Sequence, residues 1–146
     1  MERLQERIMI SLKALTAFES VMQITEPSDI ERDAAIQRFE FTFEAVWKTA
    51  KEMLYVIEGI DQGSPKGVIR SCREVGLLNE TETIQLLRMV DDRNLTVRTY
   101  NEALAEEIYS RLSGYLFLLG IWIERIKNKK RDIAEGNSFK KQMADE

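Results

Sequence analysis

The densest group of polar side chains that could carry chemistry lies between Asp91 and Tyr100. The candidate site residues in this stretch are Asp92, Arg93, Asn94, Thr96, Arg98 and Tyr100. Guanidinium groups beside the N–H groups of a helix N-terminus are what recognition of a phosphate or nucleotide requires. The stretch therefore predicts a nucleotide- or phosphate-binding site, in a loop between two helices. The alternative is that these side chains only cap helices and form turns.

A second stretch, residues 38–48, is rich in aromatic side chains. Phe39 and Phe43 follow the apolar row of a helix and are expected in the core. Phe41 lies about 160° away from Phe43, at ~100° per residue, so a partner contact or a corner between helices is expected for this lone aromatic. The predicted partner interface consists of Arg38, Phe41, Trp47 and Lys48.

The chain contains no histidine among its 146 residues. This excludes Ser-His-Asp and Cys-His catalysis, zinc sites that use histidine, and the Glu-x-x-His di-iron sites of helical bundles. The single cysteine, Cys72, cannot form an internal disulfide and has apolar neighbours. It is expected to be a small core residue rather than a nucleophile.

Charged runs offer two weaker candidate sites. Carboxylates that could bind magnesium are present at Asp91, Asp92, Glu102, Glu106 and Glu107. Acidic residues in a first helical turn are favoured by the helix dipole anyway, so no metal or cofactor is predicted. The basic run 125–131 could contact RNA, although such a run is usually a solvated face.

No apolar run approaches the 18 residues of a membrane span, and the start of the chain does not resemble a signal peptide. We therefore expect a cytoplasmic protein without a membrane partner. The length suits one domain.

Apolar residues recur at steps of three and four along most of the chain, which indicates helices. The helical segments are 3–24, 29–58, 64–76, 79–90 and 99–126. They predict an all-α fold, an up-and-down four-helix bundle with a broken third helix, over residues 1–126. The polar tail 127–146 is expected to fray. Segment 3–24 carries an unusually wide apolar arc, so it is either deeply buried or shared with a partner.

Three motifs in order give the chain a specific resemblance: Arg38 to Lys48, Ser64 to Arg70, and Asp92 to Glu102. They resemble the nucleotidyltransferase substrate-binding proteins of the HEPN superfamily. The resemblance implies a helical bundle that dimerises and that pairs with a minimal nucleotidyltransferase. It also implies a possible nucleotide or RNA ligand, since many HEPN proteins are ribonuclease toxins.

In the ribonucleases of that superfamily, the motif is arginine, a polar residue, about four residues, then histidine. A tyrosine two places after that histidine is the residue to which the paired enzyme adds AMP. Arg93, Asn94 and Tyr100 fit this motif, but Arg98 occupies the histidine position. Because arginine stays protonated and cannot act as a base, the sequence predicts a chain that is not an enzyme.

The resulting hypothesis is a non-catalytic substrate-binding or regulatory subunit of a minimal nucleotidyltransferase, which could belong to a toxin–antitoxin pair. Two alternatives stay open. One is a HEPN-type ribonuclease toxin in which Arg98 stabilises transition-state charge. The other is a plain dimerising interaction module.

Overall fold

The computed structural model describes residues 1–98 and 101–145, with the exception of the Arg98 side chain, and these residues contain helices but no strand. The elements are α1 (Glu2–Met22), α2 (Asp29–Met53), a π-helical turn (Leu54–Glu58), α3 (Pro65–Glu74), α4 (Glu80–Arg98), α5 (Glu102–Tyr109) and α6 (Leu112–Asp145). The all-α prediction is confirmed for this part of the chain. A four-helix bundle is not confirmed, because the last predicted helix is divided between α5 and α6.

Helices α2, α3, α4 and α5 begin at residues whose side chains accept from the free N–H groups of the first turn. Ser28 accepts from the Glu31 N–H at 3.2 Å, and the Glu31 carboxylate accepts from the Ser28 N–H at 3.0 Å. Asn79 and Glu82 form the same reciprocal pair at the start of α4, at 2.8 and 2.9 Å. These are capping boxes, and they confirm two of the predicted helix starts. At α5 the capping side chain is Asn101.

Two glycines end helices with a left-handed backbone, which carries no Cβ penalty at glycine. Gly59 has a φ of 68° and follows the π-helical turn, and Gly76 has a φ of 80° shortly after α3. Both positions agree with the predicted helix ends.

Residues of α1 to α6 contribute to the core, and its aromatic part lies between α1, α2 and α6. The Phe39 ring is buried with its centroid 6.2 Å from that of Phe18, 6.4 Å from Phe43 and 5.5 Å from Tyr115. Such tilted and stacked pairs contribute beyond the area they bury. Phe39 therefore connects the first, second and last helices.

The wide apolar arc of α1 is only partly buried. Ala14 and Val21 lie in the core, whereas Ile10 and Ala17 of the same row are exposed. Helices α2 and α6 together cover one side of α1, and the edge near Ile10 faces solvent.

Residues 91–98, expected in a loop, form the last two turns of α4. That expectation was wrong because the stretch contains no glycine or proline to end the helix and because Asp92 faces the interior. Polar side chains at 91–94 could have capped the end of a helix, but packing of this stretch against the rest of the protein keeps it helical.

Residues 127–145, expected as a tail, continue α6 without a break. Every residue from 131 to 145 is exposed, so packing adds little to the stability of this part of the helix. The expected fraying stays a prediction. In the described part of the chain, no helix is both long enough and apolar enough to cross a membrane.

Candidate functional site

Arg93 is held in place by α2 and by its neighbour along α4. Its Nη2 donates to Oε2 of Glu44, and its Nη1 donates to Oδ1 of Asn94 at 3.0 Å. The guanidinium carbon lies 5.7 Å from the centroid of the Phe43 ring, within range of a cation–π contact. About a quarter of the Arg93 side chain stays exposed. The arginine is therefore fixed in direction and still reachable from solvent.

Glu44 connects Arg93 to the predicted interface residues. Its carboxylate accepts from Nε1 of Trp47 at 3.0 Å and pairs with Nζ of Lys48 at 3.1 Å. Partial burial raises the pKa of Glu44, but the bonds from Trp47 and Lys48 and the charge of Arg93 outweigh it. The pKa of Glu44 consequently lies below its usual 4.5. Two cations share this one carboxylate, so the cluster keeps a net positive charge.

Asp92 points the other way, into the interior. Its two oxygens accept from Nε and Nη2 of Arg111 at 2.7 and 2.9 Å, and the Tyr115 hydroxyl donates to the same carboxylate. Burial, together with the neighbouring Asp92, raises the pKa of Tyr115 to about 12. The hydrogen bond to Asp92 raises the pKa of Arg111. Both oxygens of Asp92 are thus occupied by partners within the chain.

Thr96 lies one turn after Arg93 and donates to its carbonyl oxygen at 2.8 Å. It also borders a cavity of about 290 Å³ between α2 and α5. The other lining residues are Asp33, Ile36, Gln37, Glu40, Asn101, Leu104, Ala105 and Ile108. The cavity has an apolar side formed largely by α5 and a polar, acidic side formed by α2.

Two predicted site residues cannot be placed. The Arg98 side chain and Tyr100 lie outside the described residues. Their part in the site stays a prediction from the motif.

The predicted interface residues have different environments. Phe41 is 69% exposed and lines a shallow groove of about 250 Å³ with Ile10 of α1. Arg38 donates to the Ala17 carbonyl at 2.8 Å and so ties α2 to α1. Trp47 is only 8% exposed, so a partner could reach little of its side chain. Trp47 is buried because it extends the apolar stripe of α2 while its indole N–H still reaches Glu44.

Three residues that organise this region were not among the predicted site residues: Glu44, Arg111 and Tyr115. A local signal existed for Glu44, which precedes Trp47 by three residues and Lys48 by four, the spacing of helix neighbours. Nothing local connects Arg111 or Tyr115 to Asp92, about 20 residues earlier.

Other chemistry is limited in this part of the chain. Among the described residues, no three histidine, cysteine, aspartate or glutamate side chains are grouped closely enough to hold a metal ion. Cys72 is fully buried, and burial raises the pKa of its thiol to about 12. A thiol in this state is a poor nucleophile, as expected for a core residue.

Comparison with known proteins confirms the resemblance drawn from the motifs. The family model described as nucleotidyltransferase substrate binding protein like matches residues 6–128. The chain is similar to a protein from Thermus thermophilus of known crystal structure. The two are 51% identical with a TM-score of 0.76, over 80% of this chain and 98% of that one.

Two further similarities concern proteins with named activities. The chain is 28% identical to the probable ribonuclease HepT of Haemophilus influenzae, over 66% of this chain and 68% of the relative. It shares its fold with the tri-AMPylated Shewanella oneidensis HEPN toxin, whose structure was solved in complex with MNT antitoxin. That likeness has a TM-score of 0.72 and 18% identity, over 86% of this chain and 96% of the toxin.

These similarities contradict the prediction that the chain is not an enzyme. A relative is named a ribonuclease, so the replacement of one histidine by Arg98 is not sufficient ground to exclude catalysis. The physical weakness of that prediction was its reliance on one general base. Preorganised positive charge at the transition state is often the larger contribution to catalysis.

Proposed function

Because this chain belongs to the nucleotidyltransferase substrate binding protein-like family, we propose that it is the helical component of a complex with a minimal nucleotidyltransferase. The observation that carries the proposal is the contact between Arg93 and Glu44. This contact brings the motif from Arg38 to Lys48 and the motif from Asp92 to Glu102 together on one surface. In this proposal Arg93, Asn94 and Thr96, together with Arg98 and Tyr100, bind a phosphate-bearing group of a nucleotide or of RNA.

Donor capacity supports a phosphate ligand at Arg93. A guanidinium has five N–H donors, and the contacts to Glu44 and Asn94 use two of them. The Arg93 side chain is partly exposed, and its guanidinium is oriented by the Phe43 ring. A phosphate would therefore bind a guanidinium whose side chain has already lost much of its conformational freedom. Preorganisation of this kind lowers the cost of binding.

The partner would cover the face of α2 that carries Arg38, Phe41 and Lys48. Glu44 lines the groove beside Phe41 and also contacts Arg93. A partner that packs on Phe41 therefore brings its own groups close to Arg93. Interfaces of this kind combine an aromatic anchor with charged residues around it.

Co-purification with a minimal nucleotidyltransferase from the same organism tests the pairing. We expect a stable complex, and we expect Phe41→Asp to abolish it. The matched control is Phe117→Asp, which alters a phenylalanine of α6 that is 72% exposed. If Phe41→Asp co-purifies as well as Phe117→Asp, the proposed interface is wrong. If the unaltered chain does not co-purify, the proposed pairing is wrong.

Modification at Tyr100 is the second part of the proposal and rests on the motif. Incubation of the complex with ATP should add the mass of AMP to this chain. Tyr100→Phe should remove that addition, and Tyr55→Phe, at an exposed tyrosine of the π-helical turn, should retain it. Labelling that persists in Tyr100→Phe would refute this part.

A second candidate function is RNA cleavage, favoured by the similarity to the probable ribonuclease HepT. Arg93 and Arg98 would stabilise negative charge on the phosphate as cleavage proceeds. Purified chain should then shorten RNA, and Arg93→Ala should lose this activity. Arg88→Ala, at an exposed arginine of the same helix, should retain it. Equal cleavage by the two variants would point to a contaminating nuclease.

A further inference from the structure

The cavity between α2 and α5, about 290 Å³ in volume, is apolar at its floor and polar at its rim. Ile36, Ala105 and Ile108 are buried and form the floor, whereas Asp33 and Gln37 are exposed at the rim. Apolar walls with a few polar groups are typical of sites that bind small molecules. The volume is at the lower end of the range for such sites, so the occupant is expected to be about the size of one ring system.

The two walls of this cavity are tied together by a buried arginine. Nη1 of Arg32 on α2 donates to Oε1 of Glu106 on α5 at 3.4 Å, and Arg32 is only 7% exposed. Arg32 directly precedes Asp33, and Glu106 directly follows Ala105, and both of these neighbours line the cavity. The spacing of the walls is therefore set before a ligand arrives, which lowers the cost of binding.

The polar groups of the cavity are mainly hydrogen-bond acceptors. Glu40 is half-buried, and its ionised carboxylate, like that of Asp33, can only accept. The amide oxygen of Asn101 accepts from the Leu104 N–H at 3.2 Å, which leaves its NH2 group to donate to a ligand. A ligand that fits must therefore present N–H donors to α2 and an acceptor to Asn101.

Among the nucleobases, guanine matches this pattern best. Its N1–H and N2–H groups lie side by side, so both can donate to the two oxygens of one carboxylate. Adenine and cytosine each present one amino group beside a ring nitrogen that accepts, and a carboxylate would repel that nitrogen. Guanine also carries the acceptors O6 and N7, which suit the Asn101 NH2 group. The flat ring faces suit the apolar floor.

The helices that hold Arg93 also lead to this cavity. Along α2, Glu40 lies one turn before Glu44, which contacts Arg93, and along α4, Thr96 lies one turn after Arg93. Glu40 and Thr96 both line the cavity. One turn spans about 6 Å at ~1.5 Å per residue, which is about the length of the ribose between a base and its phosphate. One nucleotide could therefore reach both places.

Charge determines which end of a nucleotide enters the cavity. Asp33 and Glu40 repel a phosphate from its interior, whereas Arg93 attracts a phosphate beside it. A neutral base meets no such repulsion. The arrangement therefore favours the phosphate at Arg93 and the base between α2 and α5.

From these observations we propose that the cavity binds the base of a guanine nucleotide, free or within single-stranded RNA, whose phosphate is bound at Arg93. The proposal rests on the phosphate site of the proposed function and adds the identity of the base. It requires only the full chain.

Calorimetric titration of the full chain tests recognition of the base. We expect GMP to bind about tenfold more tightly than AMP, the order of discrimination that a two-bond contact to a base edge provides. Glu40→Gln should remove most of this preference, because its amide NH2 opposes one of the two donors, and should leave binding of ribose phosphate unchanged. The matched control is Glu52→Gln, at a half-buried glutamate of α2 outside the cavity, which should keep the preference.

Filling the cavity tests where the base lies. Ala105→Leu places a larger side chain on the buried floor and should weaken GMP binding to the level of ribose phosphate. Ala103→Leu, at an exposed position of the same helix, should not. Circular dichroism checks that both variants fold. Because Glu40→Gln preserves the shape of the cavity, it tests the proposal even where Ala105→Leu is unstable.

The RNA trinucleotides UGU and UAU distinguish the two sources of guanine. Preference for UGU alone would assign the site to RNA, and preference for GMP alone would assign it to a free nucleotide. No guanine preference in either pair, or a preference that Glu40→Gln retains, would overturn the proposal, and the phosphate site would stand if Arg93→Ala weakens every ligand. Binding that Arg93→Ala does not weaken would show that the phosphate site itself is wrong.

Discussion

Asp92 near the end of α4 and Arg111 just before α6 form a two-pronged ion pair, with N–O distances of 2.7 and 2.9 Å. Tyr115, one turn along α6, donates to the same carboxylate. The pair fixes the last turns of α4 against α6. Because Arg93 follows Asp92 directly, the same pair also determines where the candidate site faces.

Asp92→Asn should destabilise the protein by about 3 kcal/mol, because removal of one member of a buried ion pair leaves the other charge poorly compensated. Urea unfolding measures the change. The matched control is Asp91→Asn at the neighbouring residue, whose contact with Lys66 is exposed and should contribute below about 1 kcal/mol. Equal losses in the two variants would mean that the Asp92–Arg111 pair does not stabilise the fold as described.

Tyr115 should make the protein sensitive to alkaline pH. Burial, with Asp92 nearby, raises the pKa of Tyr115 from 10.0 to about 12, so the folded state favours the neutral phenol. Its contribution to the free energy of unfolding is fully present below pH 10 and is lost as pH rises toward 12. The difference in stability between the unaltered chain and Tyr115→Phe should therefore shrink across that interval. A constant difference would contradict the described environment of Tyr115.

Glu44 should make the stability of the protein depend on pH in the acidic range. Although burial opposes it, hydrogen bonds from Trp47 and Lys48 and the charge of Arg93 lower the pKa of Glu44 below 4.5. The ionised carboxylate therefore stabilises the fold above the unfolded-state pKa, and this contribution is lost as pH falls through the folded-state pKa. Unfolding measured below pH 4.5 should be less pH-dependent in Glu44→Gln. Glu40→Gln, one turn earlier, serves as the control and should keep the dependence of the unaltered chain.

Cys72 should be almost unreactive in the native protein. Its thiol is fully buried, and burial raises its pKa to about 12. A reagent therefore has little access to the sulfur, and little of the reactive thiolate form is present. A colourimetric thiol reagent should react slowly in buffer and rapidly in denaturant. Fast reaction of the folded chain would show that the core around α3 opens readily.

The helix starts were predictable because a capping box is a local interaction. Ser28 with Glu31, and Asn79 with Glu82, each lie three residues apart, and the structure shows both pairs in contact. The extent of α4 was not predictable in the same way. Polar residues at 91–94 are compatible with a cap or a helix, and packing of Asp92 on α6 decides between them.

For the candidate site too, the sequence predicted the residue types but not the contacts between distant residues. Its arginine, amide and hydroxyl were identifiable from residue types and spacing in the 92–100 motif, and so was an exposed Phe41. The environment of that arginine was not, since Glu44 lies 49 residues earlier and no periodicity connects the two.

By itself, therefore, the sequence determined the all-α class, most helix ends and the family to which the three motifs assign the chain. These features depend on interactions between residues a few positions apart, which can be inferred from the sequence alone. Only the tertiary structure decided that Asp92 turns inward to Arg111 while Arg93 turns outward to Glu44. Adjacent residues on a helix point about 100° apart, and which of them is buried depends on the helices that pack on either side.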